Sequence, residues 1–182
     1  MKALIAYFSQ TGNTKMIAEV IHEALSTKGE VDISTVRKVN LDTLDAYDII
    51  IVGAPCHDSD IAQPVKGFLE LLPESPSFKL AGFFTHATYT RDSDGRGGAL
   101  YEQWAGKCLP SFENACKDKN IDFVGCFNCM GKASAPIEGF IRQEIITDED
   151  EWNEYLPILR TRPDSNDFKN ARQFAFKLLE KL

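Results

Sequence analysis

The 182-residue chain has no excess of positive charge, no long apolar run and no readily paired set of cysteines. Twenty Lys and Arg stand against 27 Asp and Glu, a net charge of −7. That balance leaves no basic footprint for nucleic acid and disfavours anionic membranes. No apolar stretch approaches the roughly 20 residues of a membrane span. The apolar start, Leu4-Ile5-Ala6-Tyr7-Phe8, reaches polar Ser9-Gln10-Thr11 too soon for a secretory signal peptide. Five irregularly spaced cysteines fit a reducing, cytoplasmic setting better than a disulfide framework. Internal repeats, linkers and low-complexity stretches are missing too, so one domain over 1–182 is expected.

What is present is an apolar fraction of 43%, with 26% charged and 10% aromatic residues. That is the profile of a globular domain able to bury a core without staples. Charge is uneven along the chain. Residues 138–154 hold seven acids against one base, Arg142. This local −6 is either a solvated helix face or a docking patch for a basic partner.

Two kinds of segment alternate. Residues 4–8, 31–36, 49–52, 80–85 and 123–127 read as strands, several of them continuously apolar and so buried on both faces. Between them lie helical patterns. Met16, Ile17, Val20, Ile21, Ala24 and Leu25 share one face over 14–28. Pro64 opens a helix with Val65, Phe68, Leu69 and Leu72 on one side. A helix covers about 99–119, kinked or restarted at Pro110. The last begins near Pro163-Asp164, capped by Asp164 or Ser165, with Phe168, Ala171, Ala175, Leu178 and Leu179 inward. Residues 86–98 read as a long loop. The stretch 128–162 is too long for a simple connection and implies a short helix near 148–160, capped by Thr147.

Strand–helix alternation of this kind implies a doubly wound parallel sheet, five strands in the order 2-1-3-4-5, with helices on both faces. Ligands then bind beyond the carboxyl ends of the strands, at the loops after residues 8, 53, 86 and 127. The first loop, Ser9-Gln10-Thr11-Gly12-Asn13-Thr14, concentrates hydroxyls, amides and backbone N–H groups at a helix N-terminus. Orphan N–H groups and the helix dipole favour a phosphate there. The loop holds no Lys or Arg, so such a phosphate would rest on hydrogen bonds alone. A capping loop rich in Ser, Thr and Asn is the plainer alternative.

Tyr7 through Thr14 closely resembles the FMN-phosphate loop of the flavodoxin family, whose pattern Ser/Thr-x-Thr-Gly-x-Thr is filled by Ser9, Thr11, Gly12 and Thr14. Gly53-Ala54-Pro55 with Ala62-Gln63-Pro64-Val65 resembles the family's second flavin loop and following helix. Phe127 to Lys132 and Arg162 to Arg172 resemble later segments of flavodoxin-like proteins. The resemblance implies a flavodoxin-like three-layer α/β/α fold with FMN as cofactor. It implies that Ser9, Gln10, Thr11, Gly12, Asn13 and Thr14 hold the phosphate. Ala54, Pro55, Cys56, His57 and Asp58, together with Ala87, Thr88, Tyr89, Thr90 and Arg91, would flank the flavin ring. Tyr89 is the aromatic candidate for stacking, or else an ordinary loop tyrosine.

The second loop departs from the family pattern. A flexible glycine peptide that turns toward the flavin is replaced by Pro55-Cys56-His57-Asp58-Ser59-Asp60. His57 or Asp58 would have to accept a backbone geometry that glycine adopts freely. Asp58, Asp60, Asp92 and Asp94 would lower the flavin potential if they pointed inward. Cys126-Phe127-Asn128-Cys129 is a Cys-x-x-Cys, but it straddles a strand end rather than opening a helix. Gly125 to Lys132 has the wrong spacing for a nucleotide P-loop, and Ala133 replaces its Ser or Thr. His57, Asp58 and Asp60 are metal-ligand types, more simply read as solvated. Cys108 and Cys116 read as small apolar residues.

The expected function is an FMN-binding electron carrier serving a redox partner protein, with residues 138–154 as a docking patch. The alternative is an FMN-dependent NAD(P)H oxidoreductase of quinone-reductase type, with Arg91 and Arg96 available for a nucleotide phosphate. A flavin-free interaction module is the third reading, and the intact phosphate loop speaks against it.

Overall fold

The computed structural model describes residues 1–93 and 95–182, so Asp94 lies outside the described residues. Alternate residues of the central strands feed two opposite cores. In β1 (Lys2–Tyr7), Leu4 and Ala6 face one side and Ala3 and Ile5 the other. In β3 (Ile49–His57), Ile50, Val52 and Ala54 oppose Ile49 and Ile51 in the same way. Strands buried on both faces need apolar residues at every position, which is why these runs are continuous.

β2 (Glu30–Thr35), β5 (Lys79–His86) and β6 (Phe123–Met130) complete a sheet ordered β2-β1-β3-β5-β6, and every pair along that path is parallel. This is the expected 2-1-3-4-5 winding with one addition. A two-residue strand, β4 (Asp60–Ile61), folds back antiparallel onto the end of β3. The strands also run further than the apolar pattern suggested, β3 to His57 and β6 to Met130. The ligand loops therefore begin after 57 and 130, not after 53 and 127.

Helices α1 (Asn13–Ser26) and α7 (Ser165–Leu179) cover one face with Ile17, Ile21, Ala171 and Ala175. Helices α2 (Gln63–Glu70), α3 (Arg96–Ala105) and α4 (Cys108–Asp118) supply Val65, Phe68, Tyr101 and Phe112 to the other. Two glycines permit close packing: a Cβ on Gly53 would strike the Phe83 ring at 2.1 Å, and one on Gly82 would strike Phe112 at 2.9 Å.

Several expectations are corrected. Met16 is 38% exposed and does not join the core. Of the two readings of the helix over 99–119, the restart holds, but it falls at Gly106-Lys107, with Pro110 in the first turn of the second helix, where a missing N–H costs nothing. The first helix starts at Arg96, shortening the loop. The cap of α7 is as expected: Asp164 holds it in a reciprocal box with Asp167.

The long segment after β6 holds α5 (Ala135–Phe140), a π-helical turn (Ile141–Ile145) and α6 (Glu149–Arg160). The cap of α6 is Asp148, which accepts from the Glu151 N–H at 2.9 Å, not Thr147. Met130, Ile141, Ile146, Tyr155 and Leu159 give this segment a small core of its own.

Candidate functional site

The loop between β1 and α1 is shaped by a single left-handed residue. Gly12 has φ +94° at the N-cap of α1, a conformation that side chains resist. Its N–H donates to Ser9 Oγ at 3.1 Å. Asn13 and Thr14, buried at the start of the helix, are tied down by their side chains. Asn13 Nδ2 donates to Thr11 Oγ1 (3.0 Å) and to the Lys132 carbonyl (2.8 Å). Thr14 Oγ1 and Thr85 Oγ1 are hydrogen-bonded at 2.9 Å. Backbone N–H groups of the first helical turn have no intrahelical acceptor and are left facing the loop. Gly131 makes the Lys132 contact possible, because a Cβ there would sit 2.8 Å from the Asn13 amide.

The second wall is the β3–β4 hairpin. Its turn residues, Asp58 (φ +50°) and Ser59 (φ +72°), are both left-handed, as a two-residue I′ turn requires. Sequence reasoning anticipated the difficulty for Asp58 but not the hairpin. Asp60 secures the turn: its carboxylate accepts from Lys66 Nζ, Ser111 Oγ and its neighbour Ile61 N–H. Burial opposes the charge on Asp60, yet these donors outweigh it and hold the carboxyl below the usual carboxylate range.

The third wall combines the end of β5 with the segment after β6. His86 is 4% exposed; its Nε2 lies 3.1 Å from Asn128 Oδ1, and its Nδ1 makes no hydrogen bond. Burial pulls its pKa down to about 4, partly offset by the Asn128 hydrogen bond. The ring is therefore neutral near pH 7, packed edge-on against Tyr101 at 5.3 Å. Trp104 and Phe140 meet edge-to-face at 5.5 Å across the opening.

These walls enclose a cavity of about 560 Å³, within the range of cofactor sites. Of the residues expected from sequence, Gln10, Thr11, Asn13, Pro55, Cys56, His57, Asp58, Ala87 and Thr88 line it. Ser9, Gly12 and Thr14 shape the loop from behind. Ala54 is fully buried in the sheet core. Tyr89, Thr90 and Arg91 are not among the lining residues. Tyr89 turns instead toward α6, packing tilted against Tyr155 at 4.9 Å and donating to Glu151 at 2.9 Å. Burial and the Glu151 carboxylate push its pKa up to about 12. The aromatic surfaces at the cavity are Trp104 and Phe140, which sequence reasoning missed. Trp104 lay inside an apparent core helix, and Phe140 in the segment read only for its charge.

Arg91 is paired with Glu102 at 3.0 Å, and Arg96 donates to Glu151 and to the Ile145 carbonyl. Both arginines thus already have partners inside the protein. Cys126 and Cys129 both lie within β6 and pack into opposite cores of the sheet. Three strand residues apart is about 10 Å, beyond the roughly 7 Å limit for a disulfide. Among the described residues, no cluster of three metal-ligating side chains occurs, and no helix is long and apolar enough to cross a membrane.

Comparison with known proteins agrees with this geometry. A family model described as a flavodoxin domain matches residues 4–176. A flavodoxin of Clostridium saccharobutylicum is 31% identical over 105 residues, which is 55% of this chain and 62% of that protein. The chain thus spans less than two thirds of that relative. A flavodoxin-like domain-containing protein of Clostridioides difficile, BilS, is 25% identical, covering 100% of this chain and 98% of its own. Among solved structures, Fusobacterium nucleatum flavodoxin bound to flavin mononucleotide superposes with a TM-score of 0.62 at 11% identity, covering 100% of this chain and 98% of that one.

Proposed function

The chain belongs to the flavodoxin family, and from that premise we propose that it binds FMN non-covalently and carries electrons between redox proteins. The observation that carries this reading is the cation-free loop at the α1 N-terminus, opening into a cavity whose walls set apolar and aromatic groups beside polar side chains. The residues present fit the cofactor. The first-turn N–H groups and the Thr11 hydroxyl suit a phosphate monoester, and the hairpin and the Trp104–Phe140 pair suit the faces of a flat ring. Bound there, the flavin supplies the reversible redox chemistry, while the protein sets its access and environment.

The chain's own part is positional. Gly12 and Ser9 hold the loop open, and Asn13 ties it to the end of β6. Asp58 and Ser59 form the lip, and Trp104 and Phe140 restrict water on the far side. Exposed acids of the 138–154 segment, on the elements that form one cavity wall, suit a basic partner protein.

Titrating the purified protein with FMN, followed by visible absorbance and quenching of flavin fluorescence, tests the proposal. Stoichiometric quenching is expected; unchanged fluorescence would refute it. Adding NADH or NADPH to the loaded protein without oxygen then separates carrier from enzyme. A carrier stays yellow and bleaches only on photoreduction. Rapid bleaching by the nucleotide would instead favour the NAD(P)H oxidoreductase, despite the engaged Arg91 and Arg96.

A further inference from the structure

The five thiols are free, and their surroundings separate them. Cys116 is enclosed in the core, and Cys126 and Cys129 lie on opposite faces of the sheet. Cys56 and Cys108 converge. Cys56 lies in the β3 arm of the hairpin, opposite Ile61, half-buried, and lines the cavity. Cys108 opens α4 directly beneath the hairpin and has no exposed surface.

Three contacts bring the two together. The Cys56 thiol donates to the Trp104 carbonyl at 3.2 Å, one turn before Cys108. The Ser59 carbonyl accepts from Lys107 N–H at 3.1 Å and from the Cys108 thiol at 3.8 Å. Cys56 beside it and burial together drive the Cys108 thiol strongly toward its protonated form. Asp60 and Ser111 fasten the same hairpin to α4, so the two sulfurs are held at a common seam and not brought together by chance motion.

We propose that Cys56 and Cys108 form a reversible disulfide, a two-electron redox site in the cavity wall with a hydroperoxide as its oxidant. The exposed partner reacts first. Cys56, as thiolate, attacks one peroxide oxygen; the O–O bond breaks, and the other oxygen leaves as hydroxide and becomes water by taking up the proton that the Cys56 thiol released, giving a sulfenic acid. The Cys108 sulfur then attacks the Cys56 sulfur. The S–S bond forms, the S–O bond breaks, and the hydroxyl departs as water with the Cys108 proton. Two thiols and one hydrogen peroxide thus become one disulfide and two waters. Two equivalents of a small thiol reverse the reaction by exchange. The buried, protonated state of Cys108 keeps it from reacting with oxidant alone, so the pair closes only after Cys56 has been oxidised.

Closure has a local consequence. A disulfide has no S–H, so the Trp104 carbonyl loses its Cys56 donor. Because the Trp104 ring forms part of the cavity wall, the redox state of the pair is read out at the ligand site.

The test uses the full chain under native conditions. It is treated with hydrogen peroxide, then alkylated, digested with trypsin and analysed by mass spectrometry. Two of the five thiols should disappear, returning on treatment with dithiothreitol. A cross-linked species should join the peptide 39–66, which holds Cys56, to 108–117, which holds Cys108 and Cys116. Fragmentation should place the bond at Cys108. Trp emission should change with closure and recover on reduction. Cys56→Ser, at a half-buried position, should keep all four remaining thiols at the same dose. A bond at Cys116 or Cys126, retention of all five thiols, or over-oxidation of Cys56 without a cross-link would each overturn the proposal. Peptide mapping of the wild-type chain makes the result independent of how any variant folds.

Discussion

His86 is the residue where burial most clearly acts on chemistry. It lines the cavity at the end of β5, and its ring is neutral because the surroundings cannot solvate a second proton. Its pKa in the unfolded chain is near 6.5, and folding lowers it to about 4. The unfolded state therefore binds more protons between these values, and stability must fall as pH falls through that window. His86 contributes fully above about pH 6.5, and the contribution is lost as the pH approaches 4. The loss between roughly pH 7.5 and pH 5 is about 2 kcal/mol. Urea unfolding at the two pH values measures it. His86→Gln, which cannot gain a proton, should show a pH dependence weaker by about that amount. Equal slopes in the two proteins would mean that the ring is hydrated or paired in solution.

At the scale of elements, the β3–β4 hairpin shows how a local rule is broken at a site. An I′ turn favours asparagine, aspartate or glycine first and glycine second, so Asp58 fits its place while Ser59, at φ +72°, stands where glycine belongs. The Ser59 hydroxyl is also buried without a partner. A left-handed non-glycine residue costs roughly 1–2 kcal/mol, and an unsatisfied buried hydroxyl adds to that. Ser59→Gly removes both and loses some of the gain to chain entropy. Its urea midpoint should rise by an amount equivalent to about 1 kcal/mol, with the m-value unchanged. A fall in stability would show that the serine hydroxyl makes a bond in solution.

The same contrast explains what the sequence made legible. Continuous runs such as Ile49–Val52 can only be doubly buried strands, so the sheet order followed from periodicity and connection rules. The loop at residues 9–14 stood out because its composition and its place before a helix agree. The hairpin did not, because a two-residue strand has no period to read. Trp104 and Phe140 were hidden for a related reason. Burial of a helical aromatic residue depends on which face meets a neighbour; Trp104, near the end of the first of two helices read as one, lines the cavity. Tyr89 sits in the expected stretch, but α6, a helix expected near 148–160 without any sign of what it packs against, offered it Tyr155 and Glu151.

For the whole molecule, the question is where its negative charge goes. Much of the surplus of residues 138–154 is used within the protein. Glu138 pairs with Arg160, Glu151 pairs with Arg96 and accepts from Tyr89, and Asp148 caps α6. Arg142 is likewise spent on the Ile146 and Thr147 carbonyls and the Trp152 ring. Glu149 and Asp150 favour the positive end of α6, but like Glu144 and Glu154 they are exposed and have no ion-pair partner among the described residues. These four are the acids on which the proposed steering of a partner would rest, and the segment that carries them also supplies Phe140, Ile141 and Ile145 to the cavity. Neutralising all four to Gln or Asn, with Asp148 and Glu151 left in place, should therefore preserve fold and FMN affinity. Oxidation of the photoreduced, FMN-loaded protein by the cation hexaammineruthenium(III) should slow several-fold at low salt, a difference that fades once the Debye length drops below about 10 Å. Oxidation by ferricyanide, an anion, should accelerate or stay the same, because the sign of the field acts on it in the opposite sense. Equal slowing of both oxidants would point to damage at the cavity, and no change in either would mean that these acids do no more than solvate α6.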